Sequence, residues 1–233
     1  MTIIQNSFEG GSNGTTLIVS PNNTGGASGD AANQIAGSPT FSNAQAASGS
    51  LSLQMPASSV QDSFRWNSLS MTAMKSRFYL YYPTLLGADH WPWQACIGGG
   101  ATRILTLKVT TGNKLQLTTP AGSVWTAAAA FSAGQWYRAE VYMNGIDTST
   151  ATVKVAYFSL HSTAPIDSYD GTGTSNTGST NIDSVFFGKT NGATIANPFY
   201  VDDIAVDTAP SADYVWPSVL PSFTWSTTVA FGG

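Results

Sequence analysis

Apolar and polar residues alternate with a period of two along most of this 233-residue chain, and helical periodicity is almost absent. Leu51, Leu53 and Met55 alternate with Ser52 and Gln54. Such alternation places all the apolar side chains on one face of a β-strand. The same pattern recurs in the segments 105–109, 115–117, 137–143 and 153–157.

Further strands are predicted where β-branched and aromatic residues cluster between turn residues. They lie at Ile3–Phe8, Thr15–Val19, Phe64–Trp66, Arg77–Tyr82, Ile182–Gly188 and Phe199–Val206. Roughly a dozen strands, each with one apolar face, predict an all-β, two-sheet antiparallel jelly-roll sandwich. Trp125–Phe131 is the one helix-compatible piece, and the Gly, Ser and Thr-rich stretches 20–50 and 170–181 are predicted to be long loops.

The low charge density changes what the protein can bind. Only 9% of the residues are charged, where an ordinary domain carries about 25%. The nine Lys and Arg residues are scattered, which argues against a nucleic-acid partner.

No apolar run approaches the ~18 residues of a membrane span, and the opening MTIIQNSFEGG lacks a signal-peptide pattern, so we expect a protein made in the cytoplasm. The lone Cys96 fits a small buried hydrophobe better than a reactive thiol.

The C-terminal segment differs from the rest of the chain. We predict a sandwich over residues 1–207 and an arm over 208–233, because three prolines oppose regular sheet and the aromatic residues oppose free disorder. The arm either wraps its own domain or docks on a neighbouring subunit. Its candidate partner-binding residues are the aromatic ones, Tyr214, Trp216, Phe223, Trp225 and Phe231.

Several short motifs occur in a characteristic order. They read NSFEGGSNGTT, TGGASGDA, AQAASGSLSLQM, GQWYRAEVYM and FYVDDIAV. Over about residues 3–207 the chain resembles the concanavalin-A-like lectin/glucanase sandwiches (laminin-G-like jelly rolls), particularly those in minor tail and other virion proteins of actinobacterial phages. The resemblance implies that the first and last strands, Ile3–Phe8 and Phe199–Val206, are neighbours.

The carboxylates do not form the pair that glycoside hydrolysis uses. Glu9 and Glu140 are the only glutamates, and neither has an acidic residue two or four positions away. The glucanases of the resembling family take their carboxylates from a strand of the form E-x-D-x-x-E, which is missing here. His90 and His161 are the only histidines. We therefore predict that the protein is not an enzyme.

A calcium ion is the one cofactor that the resemblance suggests. Lectin-like sandwiches often hold Ca²⁺ with Asp and Asn oxygens at loop ends, and the donors would be Asp183, Asp202 and Asp203. The alternative is that these carboxylates bond adjoining turns or face solvent. As adjacent residues of a strand, Asp202 and Asp203 are expected on opposite faces.

A carbohydrate site is the second binding candidate. Sugars bind on aromatic platforms flanked by amides and carboxylates, and His90, Trp91 and Trp93 lie in one short segment with Tyr81 upstream. If this segment is a strand, Trp91 and Trp93 share a face. Core packing or subunit contact would explain the same residues.

We predict a phage virion structural protein, either a capsid decoration protein or a minor tail subunit. It would dock on other virion proteins through the arm and a sandwich edge, and it would form a homo-oligomer, with a trimer expected. The alternative is a carbohydrate-binding module that recognises host-surface glycans.

Overall fold

The computed structural model describes residues 3–19, 29–146, 148–175 and 181–210. Within these ranges the chain forms β-strands and no helix, which confirms the all-β class. No helix in the described part of the chain is long and apolar enough to cross a membrane.

The strands are numbered in chain order. They are β1 (Ile3–Asn6), β2 (Gln34–Ala36), β3 (Thr40–Ser42), β4 (Ser52–Met55), β5 (Asp62–Trp66), β6 (Ala73–Tyr81), β7 (His90–Ile97), β8 (Thr102–Val109), β9 (Lys114–Thr119), β10 (Gly122–Ala130), β11 (Trp136–Asn144), β12 (Ala151–Ser159), β13 (Asp167–Ser175), β14 (Ser184–Lys189) and β15 (Phe199–Asp207).

The strands form two antiparallel sheets that pack as a jelly-roll sandwich. Sheet A has the order β13-β12-β11-β6-β15-β4-β3, and β1 also pairs with β15. Sheet B has the order β10-β9-β8-β7-β14-β5-β2. The register Ile3 to Asp207 and Asn6 to Ile204 confirms that the first and last strands are neighbours.

The core lies between the two sheets and is built from the alternating apolar positions. In β9, Leu115 and Leu117 are buried while Lys114, Gln116 and Thr118 are half-exposed. Phe78 of sheet A meets Phe187 of sheet B edge to face, with 5.7 Å between ring centroids. Period-two patterning therefore predicted the core-facing residues correctly here.

The helix-compatible piece Trp125–Phe131 is a strand instead, since most of it belongs to β10 at the edge of sheet B. Its pairing with β9 shifts register twice, between Ser123 and Trp125 and between Thr126 and Ala130. The backbone amide of Ala128 donates to Asp167 Oδ2 of β13 at 2.6 Å. Tertiary pairing thus overrides the helical preference of an alanine run that is too short to hold a helix alone.

The predicted long loops contain short strands. Segment 20–50 includes β2 and β3, and segment 170–181 begins within β13. The predicted strand Thr15–Val19 contributes only an isolated bridge from Thr16 to Thr40. Strands of three residues are too short to show the alternation from which strands are predicted.

The outer face of sheet A, turned away from sheet B, carries a buried ionic cluster. Glu140 of β11 forms ion pairs with Arg138 Nε at 3.0 Å and with Lys75 Nζ of β6 at 3.4 Å. All three side chains are buried. Burying charges is costly unless they are paired, so this cluster depends on the one carboxylate that bridges two cations.

The arm lies largely outside the described residues. Tyr214, Trp216, Phe223, Trp225 and Phe231 all fall within 211–233, which the structure does not describe. The division between a sandwich over 1–207 and an arm over 208–233 stays a prediction.

We expect Glu140→Gln to lower the free energy of unfolding by about 3–5 kcal/mol, because it removes the carboxylate from two buried cations. The control is Asp170→Asn, which breaks the exposed pair between Lys154 Nζ and Asp170 Oδ2 on the same sheet. The control should stay close to wild type, because exposed pairs contribute little. Urea unfolding followed by tryptophan fluorescence measures both, and equal losses would contradict the role of burial.

Candidate functional site

Two of the residues predicted to bind carbohydrate belong to the core. Trp93 is fully buried, and its indole nitrogen donates to Ser76 Oγ across the sandwich at 3.0 Å. His90 is also fully buried, with Nε2 2.9 Å from the Tyr82 hydroxyl and Nδ1 3.1 Å from the Ala88 carbonyl. A neutral imidazole satisfies both contacts, since Nδ1–H donates to Ala88 and Nε2 accepts from Tyr82. Neither side chain is accessible to a sugar.

Trp91 lies on the opposite face of β7 from Trp93. The pairing of β7 with β8 shifts register between His90 and Trp93, and such an irregularity resets the alternation of side chains. The expectation that the two tryptophans share a face is therefore wrong. Trp91 is half-buried, and the Arg103 guanidinium lies 4.1 Å from the centre of its ring.

Tyr81 belongs to the other sheet. It packs on Trp136 at 5.3 Å and on Tyr200 at 6.0 Å between ring centroids, in a cluster separate from the main core. Since Tyr81 lies on sheet A and Trp91 on the outer face of sheet B, the two residues do not form one site.

The three carboxylates proposed for calcium do not come together. Asp183 precedes β14 of sheet B and accepts from the Gly99 amide and the Ser184 hydroxyl. Asp202 and Asp203 lie in β15 of sheet A. Across the described residues, no group of three or more His, Cys, Asp or Glu side chains could hold a metal ion.

Asp202 and Asp203 bond the same loop instead of pointing to opposite faces. Asp202 Oδ2 accepts from the Ala47 amide at 2.8 Å, and Ser48 Oγ donates to Asp203 Oδ2 at 2.6 Å. The cause is a register irregularity in β15 after Asp202, where Asp203 has the left-handed φ of 42°. Burial raises the pKa of Asp202 well above its usual range, and the charge of Asp203 raises it further. The two carboxylates therefore anchor the loop that contains Ala47 and Ser48.

Cys96 is buried with a free thiol, as predicted. Burial raises its pKa to about 12. The neutral thiol is therefore the dominant form at neutral pH, and it packs as an apolar group.

A row of partnered side chains crosses the outer face of sheet B, and three of its six members are buried. Each member is the direct cross-strand partner of the next, on six adjacent strands. The row consists of Gln34, Arg65, Phe186, Gln94, Thr106 and Thr118. These positions alternate with core residues such as Trp93, Phe64 and Phe187, so their side chains face away from sheet A.

One end of the row opens into a cavity of about 120 Å³, here named the amide pocket. Half of its described lining residues are glutamines or serine, and the rest include one arginine and one aromatic ring. They are Gln34, Ala36, Gln61, Ser63, Arg65, Gln94, Gly100 and Phe186.

The guanidinium of Arg65 is held in place within the amide pocket. It lies 4.7 Å from the centre of the Phe186 ring, and Nη1 donates to the Gly99 carbonyl at 2.9 Å. Burial lowers the pKa of Arg65, whereas the charge of Asp183 raises it. A Cβ added at Gly100 would lie 2.4 Å from Arg65 Nη1, so this stacking requires glycine at position 100.

The other end of the row reaches a second cavity of about 300 Å³, here named the tryptophan pocket. Trp91 and Arg103 form one wall, and three threonines with an isoleucine and a proline form the rest. The described lining residues are Trp91, Arg103, Ile104, Thr106, Thr118, Thr119 and Pro120.

A further recess of about 270 Å³ lies on the outer face of sheet A. Its charged residues are already paired, Lys75 with Glu140 and Lys154 with Asp170. The outer face of sheet B is therefore the better candidate site.

Of the residues that define this site, sequence reasoning identified only Trp91. Gln34, Arg65 and Gln94 come from segments far apart in the chain, and each occupies an ordinary polar position of an alternating strand. Only the strand order brings them into one row, so no local signal could have found them.

No protein-family model and no curated protein matches the chain. Solved structures match it at the level of the fold. The marine PL-14 alginate lyase from Aplysia kurodai is 13% identical, with a TM-score of 0.54 over 73% of this chain and 87% of the lyase. The endo-β-1,4-glucuronan lyase from the fungus Trichoderma reesei is 12% identical, with a TM-score of 0.56 over 89% of this chain and 95% of the lyase.

A mutant of Trypanosoma rangeli sialidase displaying trans-sialidase activity is 11% identical, with a TM-score of 0.54. The match covers 90% of this chain but only 31% of the sialidase chain. These likenesses support the jelly-roll β-sandwich. They do not support the phage-specific type that the sequence motifs suggested.

The prediction that the protein is not an enzyme is contradicted by these neighbours, which are two polysaccharide lyases and a sialidase. At 11–13% identity the likeness to this chain is one of fold alone. The missing carboxylate strand bears on hydrolysis by paired carboxylates, and lyases of this fold show that the same sandwich serves other chemistry.

The buried His90 makes the stability of the fold depend on pH. Burial lowers its pKa to about 4 from the usual 6.5, so unfolding takes up a proton between these values. The stability that the neutral His90 side chain contributes is fully present above pH 6.5. The free energy of unfolding decreases by about 3 kcal/mol as the pH falls from 6.5 towards 4.

We expect His90→Gln to be less stable than wild type at pH 7 but to lose less stability on acidification to pH 4. Urea unfolding at the two pH values measures the free energy of unfolding of wild type and variant. Both proteins carry the same carboxylates, so the effect of protonating these groups cancels when the two losses are compared. Equal losses in the two proteins would contradict this account of His90.

Proposed function

We propose that the protein binds a carbohydrate chain along the outer face of sheet B, between the tryptophan pocket and the amide pocket. The observation that carries the proposal is the row of partnered polar side chains with a recess at each end. Six adjacent strands span about 24 Å, which suits an extended polymer better than a single small molecule.

The chemistry of the row suits hydroxyl groups. Gln34 and Thr118, the more exposed amide and hydroxyl of the row, both donate and accept hydrogen bonds. The Arg103 guanidinium lies over the half-buried Trp91 ring, and the two side chains together form the wall on which the apolar side of a sugar ring would pack. A few oriented polar groups beside an aromatic wall are typical of ligand sites.

The structural neighbours support the same class of ligand. By their names, one acts on alginate and another on glucuronan, and both are extended polysaccharides. Because the likeness is confined to the fold, the proposal for this chain depends on its own row of side chains.

We expect Trp91→Ala to weaken polysaccharide binding at least about tenfold, as truncating an aromatic anchor commonly does. Trp125→Ala is the matched control, since Trp125 of β10 is half-buried against the core and outside the row. Isothermal titration against alginate, glucuronan and neutral glucans measures the affinity. Wild-type protein that binds none of them, or equal losses in the two variants, would contradict the proposal.

The same mixtures are assayed for new reducing ends, because the neighbours are enzymes. If the protein cleaves the polysaccharide and Trp91→Ala reduces this cleavage, the row is a substrate-binding surface. Binding with no new reducing ends would make it a recognition surface.

A place in a phage virion stays a separate proposal that only the sequence motifs and the aromatic arm support. It includes a homo-oligomer, a trimer by expectation, that contacts other virion proteins through the arm. We expect deletion of residues 208–233 to abolish incorporation into particles while the sandwich stays folded. Immunoblotting of purified particles tests this, and normal incorporation would refute it.

A further inference from the structure

The strands of sheet B carry almost only positive charge, although the whole chain has a net charge of −4. The one carboxylate in these strands is Asp62, which is buried and pairs with Lys189. The other charged residues of the strands are all cations, and none of them is buried: Arg65, Arg103, Lys108 and Lys114. This sheet therefore attracts an anion, and none of its strands exposes a carboxylate that would repel one.

Arg103 is the most accessible of these cations. All nine Lys and Arg residues lie in the described ranges, and Arg103 is the only one that is exposed rather than half-buried or buried. Its guanidinium forms no ion pair and no hydrogen bond with the described part of the chain. Lys108 of the same strand, by contrast, pairs with Asp89. The N–H groups of Arg103 are therefore available to a ligand.

The indole of Trp91 fixes the position of this guanidinium, which lies 4.1 Å from the centre of the ring. An arginine that lies over an aromatic ring keeps the N–H groups at the edge of its guanidinium free. The fork of these donors matches the two oxygens of a carboxylate, and such charge-assisted bonds are about twice as strong as neutral ones. Arg103 is thus better suited to a carboxylate than to a hydroxyl group.

The rest of the tryptophan pocket suits a sugar that carries the carboxylate. The cavity of about 300 Å³ has the volume of about ten waters at the ~30 Å³ that each occupies in the liquid, which suits one sugar ring with its carboxylate. The half-exposed Thr118 offers a hydroxyl, and the exposed Pro120 offers an apolar surface. Arg103 is the one charged residue among the described lining residues, so the pocket itself is cationic.

We propose that the tryptophan pocket is a subsite for an acidic sugar, whose carboxylate pairs with Arg103 while its ring packs beside Trp91. The proposal rests on the carbohydrate-binding function proposed for the row, and it names the class of sugar bound at this end of it. The ligand is a polysaccharide that contains uronate units.

The test compares alginate with the same alginate after its carboxylates have been converted to neutral esters. We expect wild-type protein to bind the free acid at least about tenfold more tightly than the ester, because only the free acid forms the charge-assisted pair. Added NaCl should weaken binding of the free acid, since the attraction between exposed charges is screened. Isothermal titration measures both effects.

Arg103→Gln removes the cation, and we expect it to lower the affinity for alginate at least about tenfold, to the level of the ester. Lys108→Gln is the matched control, because it makes the same change in charge on the same strand but removes a cation that is already paired. The control should bind alginate about as wild type does. Thermal midpoints check that both variants fold, and the comparison of the two polymers with wild type decides the question if Arg103→Gln does not.

Two further arms separate a carboxylate from negative charge alone. Arg103→Lys keeps the charge but loses the fork of donors, so we expect its affinity for alginate to stay well below that of wild type. Full affinity in Arg103→Lys would overturn the pairing of the fork with a carboxylate. Dextran sulfate that binds wild type as tightly as alginate does would overturn the assignment to uronates.

The outcomes also separate this subsite from the proposed function. Equal binding of alginate and its ester by wild type, or equal losses in Arg103→Gln and Lys108→Gln, would overturn the acidic subsite and leave the row as a binding surface. Wild-type protein that binds no polysaccharide would overturn the proposed function and this inference together.

Discussion

The antiparallel pairing of β14 with both β5 and β7 is the constraint on which the candidate site depends. It inserts a late strand between two early ones, as β15 is inserted between β4 and β6 in the other sheet. Without this order Arg65, Phe186 and Gln94 would not be cross-strand neighbours. The long-range pairing that closes the sandwich therefore also assembles the amide pocket.

The two outer faces of the sandwich are chemically different, although each sheet contributes one apolar face to the same core. Sheet A buries an ionic cluster of Lys75, Arg138 and Glu140, whereas the row on sheet B consists mainly of amides and hydroxyls. Only 9% of the residues are charged, so few charged side chains are present on either face.

Much of the fold could be predicted from the sequence, because strict alternation needs only local information. The predicted class, the neighbouring first and last strands and the buried Leu115 and Leu117 agree with the structure. The failures occur where the backbone leaves the regular pattern. The register shift after His90 separates Trp91 from Trp93, and the left-handed Asp203 turns two carboxylates towards one loop.

The candidate site was far less predictable, for a different physical reason. A glutamine at position 34 or 94 looks like any solvent-facing residue of a strand until the strand order is known. The burial of Gln94 is a property of packing, which no periodicity reveals. The inference against enzymatic activity failed similarly, since the absence of one hydrolytic motif says nothing about other reactions on the same sandwich.

The two register shifts in β10 and the bond from Ala128 to Asp167 also bear on how copies of this protein can meet. An exposed strand edge is a template for another strand, and a weakly charged protein has little repulsion to prevent such pairing. The irregular β10 edge, with one amide already bonded to β13, is a poor template. At the other edge of sheet B, the three-residue strand β2 offers only a short ladder.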